Sequence, residues 1–427
     1  MEDSILHNQT PNHTLTTNQK WTIASTSAGF ALENMDVMFL SFALSSIIAS
    51  LHISGAQAGL IATVTNLGML AGGILFGLIG DRFGRVKTFT YTVFIFAFAT
   101  AAMYFADNIQ LVYLFRFIAG IGAGGEYGVG ITLIAESFAH HKIGKMTSIA
   151  AIGGQIGAVL AAIAAAFIIP AFGWNALFLV GLVPVILTYF IRRNLHESDD
   201  FVATHAKIAN HTAKQPVSIA SLFNTPGVAL QTVGLMIMVV VQIAGYFGLM
   251  NWLPTIMQHK LHLTVAGSSV WMIATIVGMS IGMLVFGNIL DFFGPRRAFG
   301  IFLIGSAIAV FAITLANNEP TMLIAGAILG FFSNGMFGGY GAVISRLYPT
   351  EIRATANNVI VNTGRAIGGF SSLAIGILMD HYTLPVVMGC LSAMYIISFV
   401  VMLSIPGLRK LSAHHEVAPK ATTVEAN

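Results

Sequence analysis

Five ionisable side chains stand inside otherwise apolar stretches of this chain: Glu33, Asp36, Arg116, Glu126 and Arg365. A charge at the middle of a bilayer is costly unless it faces a partner or a wet cavity, so each marks a place where chemistry is expected. Glu33 and Asp36 are three residues apart and share one face of a helix. Arg116 and Glu126 lie ten residues apart in one span, so Glu126 sits about 15 Å deeper. Arg365 is the only cation near a span centre, and its planar fork suits a carboxylate held at two oxygens. A carboxyl taken out of water favours its neutral form, so Glu126, Asp36 and Glu33 are candidates to carry a proton, while Arg116, in the outer half of its span, could snorkel or pair with a neighbouring helix. All thirteen His fall in loops, turns or tails. A buried proton carrier is therefore expected to be a carboxylate. Midplane polar neighbours that could meet a solute are Gln155, Asn66, Gln242, Tyr246, Asn334, Asn358 and Asn362. The same amides could instead serve as interhelical hydrogen bonds, and Arg365 could simply neutralise one of the acids and hold two parts of the molecule in register.

These residues need long apolar elements to carry them. Only 9% of the residues are charged, 56% are hydrophobic and the mean hydropathy is +0.80, which excludes an ordinary soluble domain. Twelve apolar spans are legible, near 22–49, 55–80, 86–106, 109–137, 144–169, 174–192, 228–257, 265–290, 298–316, 320–347, 355–379 and 383–405. Each is long enough for roughly 30 Å of hydrocarbon. With both termini on one side, the loops there hold Arg82, Arg85, Lys87, Lys142, Lys145, Arg192, Arg193, Arg296, Arg297, Arg346 and Arg353, and the opposite loops only Lys260. The positive-inside rule makes the first side, and both termini, cytoplasmic. The expected organisation is a cytoplasmic tail over 1–21, a six-helix bundle over 22–192, a cytoplasmic linker over 193–227, a second bundle over 228–405 and a tail over 406–427. No cleavable signal peptide is visible.

The two bundles repeat. Gly77-Leu-Ile-Gly-Asp81-Arg-Phe-Gly84-Arg85 returns as Gly287-Asn-Ile-Leu-Asp291-Phe-Phe-Gly294-Pro, 210 residues later (287 − 77). The same offset places Gln155 opposite Arg365. Two homologous half-bundles leave a cavity between them, an arrangement suited to alternating access. Asp81, Gly84, Arg85, Glu136, Asp291, Gly294, Arg297 and Arg353 sit at cytoplasmic helix ends and are read as gate residues, latching one half to the other, with the glycines permitting the turns. The run Gly120-Ile-Gly122-Ala-Gly124-Gly125 has the look of a dinucleotide fingerprint, but it lies within an apolar span with no preceding strand. It reads as close helix packing or a bend. A lone Cys390 excludes an intrachain disulfide, no metal or cofactor site is expected, and no nucleophile–base pair suggests an enzyme.

The segment Gly80-Asp81-Arg82-Phe83-Gly84-Arg85, with its copy at Asp291–Arg297, resembles the signature between the second and third helices of the major facilitator superfamily. The resemblance covers about residues 20–408 and implies an all-α membrane protein, twelve transmembrane helices in two pseudo-symmetric six-helix bundles. Arg116-Phe-Ile-Ala-Gly120 through Glu126-Tyr127-Gly128 resembles the fourth-helix signature of the metabolite:proton and sialate:proton symporters, implying that Arg116 and Glu126 belong to coupling or binding. Glu33-Asn34-Met35-Asp36 is similar to an Asp-Gly-Phe-Asp element of related carriers, with Glu and Asn replacing its first and second residues.

The expectation is a proton-coupled importer of a small organic anion, a monocarboxylate or related acid, in the cell membrane. It would act as a monomer, with protons and the lipid bilayer as its other partners and no nucleic acid. The alternatives are a carrier of a neutral or zwitterionic solute such as a sugar or osmolyte, a drug/proton antiporter, and a metabolite sensor that moves nothing. Arg365 argues against cationic substrates through like-charge repulsion.

Overall fold

The computed structural model describes residues 15–139, 142–183, 219–261, 265–371 and 381–411, with a few isolated positions between them. The outer parts of both tails, most of the expected linker, and the ends of the sixth and eleventh expected spans lie outside the described residues. The helices are α1 (Thr17–Leu51), α2 (Gly55–Phe83), α3 (Arg85–Ala102), α4 (Ile109–Ser137), α5 (Ile143–Phe172) and the opening turn α6 (Trp174–Leu177). After the linker come α7 (Pro226–Leu261), α8 (Val265–Phe293), α9 (Pro295–Ala309), α10 in two pieces (Glu319–Gly335 and Phe337–Leu347), α11 (Arg353–Gly368) and α12 (Leu384–Ser404). No strand occurs among the described residues.

Local chemistry sets the starts. Thr16, Ser54 and Asn318 each form a reciprocal capping box, with Gln19, Gln57 and Thr321, and Asn108 caps α4 through the Leu111 N–H. Such caps satisfy amide groups that the first turn leaves without partners. Gly84 and Gly294 sit at φ 113° and 80°, a region costly for any side chain with a Cβ. They let α2 turn directly into α3 and α8 into α9. The tenth span departs from a single helix at Met336, where Gly335, Gly338 and Gly339 weaken helical propensity.

Nine described helices are long and apolar enough to cross a membrane. α1 and α11 are not among them: α11 is described over only 16 residues and carries Asn357, Asn358, Asn362 and Arg365, and α1 carries Glu33, Asn34 and Asp36. Those helices turn their polar faces to the interior. The outer surface is apolar, with Leu60, Phe98, Phe167, Phe172, Ile308 and Leu315 exposed, as lipid contact requires.

Within the first half α1 packs on α5 and α2 on α4; the second half pairs α8 with α10 and α9 with α12. Glycines allow the closest crossings. A Cβ built on Gly120 would lie 3.1 Å from Gly68 Cα, and the backbone of Ile121 occupies the space a side chain at Gly72 would need. Gly278 and Gly282, 210 residues on, meet Ala327 and Phe331 in the same way. The Gly120–Gly125 run is thus a packing surface. The halves touch through α2 against α11, α4 against α11, α5 against α8 and α5 against α10.

Candidate functional site

A cavity of about 150 Å³ lies between the halves, lined by Glu33, Asn34, Thr65, Asn66, Arg116, Gln155, Gln242, Tyr246, Asn334, Phe337 and Arg365 among others. It offers far more room than a single water needs. α1, α2, α4 and α5 supply one wall; α7, α10 and α11 supply the other.

Arg365 crosses this gap and pairs with Glu33 of the opposite half. Its guanidinium stands 5.3 Å from the centre of the Tyr127 ring. That ring is held by Phe30, stacked at 5.2 Å, and Phe337 at 5.7 Å. The aromatic tray fixes the cation from beneath. Arg116 makes a second pair: Nη1 donates to both oxygens of Asp36 at 2.9 and 2.7 Å, and Nε to Thr65 at 3.3 Å. The Thr100 hydroxyl donates to Asp36 Oδ1 at 3.1 Å. The two pairs differ in access. The Arg365 side chain keeps 13% of its surface exposed, the Arg116 side chain 1%. Of the two, Arg365 is the more open to a solute.

Glu126 lies behind the cavity wall, 1% exposed. Neither carboxyl oxygen has a hydrogen-bond partner. One oxygen rests where a side chain on Gly29 of α1 would lie, with Phe89 closing the same space. An ionised carboxylate without a partner in such a place is heavily penalised, whereas the neutral acid is tolerated.

At the Arg85 end the halves are joined by two matching caps. Asp81 accepts from the N–H groups of Ala354 (3.2 Å) and Thr355 (2.8 Å) and from the Thr355 hydroxyl (2.7 Å). Asp291, 210 positions later, accepts from the N–H groups of Gly144 (2.9 Å) and Lys145 (2.7 Å). Each carboxylate therefore caps the first turn of a helix in the other half, where the helix dipole favours negative charge. Arg85 ties Asp81 (3.1 Å), Glu136 (3.2 Å) and the Thr350 carbonyl (2.6 Å) together, and Arg353 adds a contact to Glu136 at 3.4 Å. In the second half Arg346 pairs with Asp291.

The placement of the expected residues is uneven. Arg365, Gln155, Asn66, Gln242, Tyr246 and Asn334 line the cavity, as do Glu33 and Arg116. Asn358 and Asn362 do not. They reach across to the α4 backbone, where Asn358 accepts from Gly128 N–H (2.7 Å) and Asn362 donates to the Gly124 carbonyl (2.8 Å). Their amides serve an interhelical contact because the glycines of α4 leave its backbone open. Arg297 is also corrected: it is exposed, and Arg346 takes the position beside Asp291. The offset explains why. The counterpart of Arg85 is Pro295, and Arg297 answers to the exposed Lys87, whereas Arg346 answers to Glu136.

Sequence reading passed over Thr65, Thr100, Tyr127 and Glu197. Glu197 accepts from the Arg85 and Val86 N–H groups at 2.8 and 3.0 Å and caps α3. Hydroxyls in apolar spans give no signal, but the 210-residue repeat applied to Glu136 would have found Arg346.

The Major Facilitator Superfamily model matches residues 26–280 and 235–424. The chain belongs to that superfamily. A Haemophilus influenzae protein, named as a provisional metabolite transport protein, is 35% identical over 88% of this chain and 93% of its own length. The sialic acid transporter of Escherichia coli strain K12 is 28% identical over 85% of this chain and 88% of its own. The structure of the proton:xylose symporter bound to 6-bromo-6-deoxy-D-glucose superposes with a TM-score of 0.77 at 17% identity, covering 91% of this chain and 96% of that one. This major facilitator is a multi-pass membrane transporter with twelve helices in two six-helix bundles, and not an enzyme.

Proposed function

We propose that this major facilitator carries a small organic anion, a monocarboxylate or related acid, into the cell together with a proton. One observation carries the reading: the accessible arginine of the cavity, Arg365, is neutralised across the gap by Glu33, beside the partnerless acid Glu126. Protonation of Glu33 releases the guanidinium fork, and a substrate carboxylate then replaces the lost anion. Arg365 thus takes the substrate only when a proton has arrived. Glu126 holds a further neutral site whose occupancy changes with access, and Asp36 with Arg116 forms a fixed polar pair elsewhere in the same half. Gln155, Gln242, Asn334, Asn66 and Tyr246 offer hydrogen bonds to the remainder of the solute.

The relative that moves sialic acid, itself a carboxylic acid, supports the substrate class. The Arg85 end is assigned to the cytoplasm by its basic loops, so the joined caps hold a state open to the outside. Proton movement in proteoliposomes tests the proposal with a panel of carboxylates, sugars and lipophilic cations. Alkalinisation of the donor side with acids alone is expected. Silence with every acid and a response to sugars or cations would sink it.

A further inference from the structure

The contact between α11 and the glycine turn of α4 has a property that a simple packing contact lacks. Gly128 N–H and the Gly124 carbonyl are the donor and acceptor of one helical i→i−4 hydrogen bond. Asn358 accepts from that N–H at 2.7 Å, and Asn362 donates to that carbonyl at 2.8 Å. Asn358 also donates to the Gly125 carbonyl at 3.3 Å. Both amides are fully buried and come from the opposite half. A side chain at Gly128 would overlap Asn358, and one at Gly73 would overlap Asn362, so the sequence keeps both places empty. The pseudo-symmetric position adds an independent sign. Met336, the counterpart of Glu126, is where α10 gives up helical continuity. Opposite it Ser148, the counterpart of Asn358, packs on Gly338, the counterpart of Gly128.

We infer that Asn358 and Asn362 are positioning residues of the transport cycle, a clasp that splices into the Gly124–Gly128 turn when the halves close and thereby sets the carboxyl of Glu126. With the halves together, the asparagines share the two backbone groups with α4, which stays helical through the turn. With the halves apart, those groups have only each other. The clasp thus gives the turn two hydrogen-bonding states, and Glu126 sits inside it, so closure at this level and the surroundings of the acid change together. The groups facing Glu126 are Glu33 on α1 and Arg365 on α11, which are paired with each other. The coupling part of the inference rests on the proton role proposed above for Glu126.

The test uses the full chain in lipid nanodiscs with Cys390→Ser and spin labels at Lys87→Cys and Arg297→Cys, two exposed positions on opposite halves. In the Asn358→Ala/Asn362→Ala variant the open-to-closed ratio at this end should rise roughly ten-fold. The infrared carboxyl band of Glu126, isolated by subtracting the Glu126→Gln spectrum, should also move in frequency. A ratio unchanged within about two-fold, or a band that loses amplitude at fixed frequency, would overturn the inference. The second result would leave a tie between halves that does not position the acid. Absence of the band in the unmodified protein would instead remove Glu126 as proton carrier, a failure of the proposed function, and the ratio alone would then decide the clasp. Asn358→Ser with Asn362→Ser keeps the polarity while shortening the reach, and takes the place of the alanine pair if that does not insert.

Discussion

At the residue scale, the two arginines of the interior have different work because their access differs. Arg365 faces the cavity over the Tyr127 ring, whereas Arg116 is sealed against Asp36, Thr65 and Thr100. Arg365→Lys keeps the charge but loses the planar fork, so substrate affinity should fall by about 1.5–3 kcal/mol, roughly ten- to a hundred-fold. Binding titration checks this, and unchanged affinity would reject the anchor. Asp36→Ala strands a buried guanidinium and should destabilise the protein by about 3–5 kcal/mol, visible as a lower unfolding temperature in detergent. Glu126→Gln keeps the shape and removes the titrating proton. Uphill accumulation is expected to vanish while counterflow exchange survives; normal accumulation would exclude Glu126 from coupling.

At the scale of elements, the contacts proposed as a latch are paired helix caps. Asp81 and Asp291 occupy corresponding turns and cap α11 and α5 with two N–H contacts each. Such capping is worth about 1 kcal/mol per site, so Asp81→Asn and Asp291→Asn should each shift the balance toward the state open at the Arg85 end. The double substitution should shift it more than either alone. Accessibility labelling of a cysteine placed at the cavity wall reads that shift; labelling in all three variants equal to that of the unmodified protein would show that the caps do not hold the gate. Gly84 and Gly294 were legible in the sequence as turn residues, since only their φ angles let two helices meet without a loop. The asparagines were not. An amide in a polar-faced helix suits a solute and a neighbouring backbone equally well, and only the opposing glycines decide between them.

For the whole molecule, alternating access requires the α2–α11 and α5–α8 contacts to part in each cycle. A Cβ on Gly77 would lie 2.8 Å from Thr355 Cα, so this crossing of α2 and α11 has no room for a side chain. Gly77→Leu should hold the halves apart at the Arg85 end and stop flux, while substrate still binds from that side in a titration. Full flux in this variant would contradict rocking about this interface.

The sequence by itself determined the class, the twelve spans, the two-fold repeat and the ionisable residues of the interior. Hydropathy and charge are strong local signals, because a bilayer penalises each misplaced polar group separately. Tertiary structure decided the pairing: Glu33 with Arg365, Asp36 with Arg116, and Glu126 with no hydrogen-bond partner. Three acids and two arginines in one interior allow several pairings, and helix rotation and glycine-permitted approach, which no residue spacing encodes, select one.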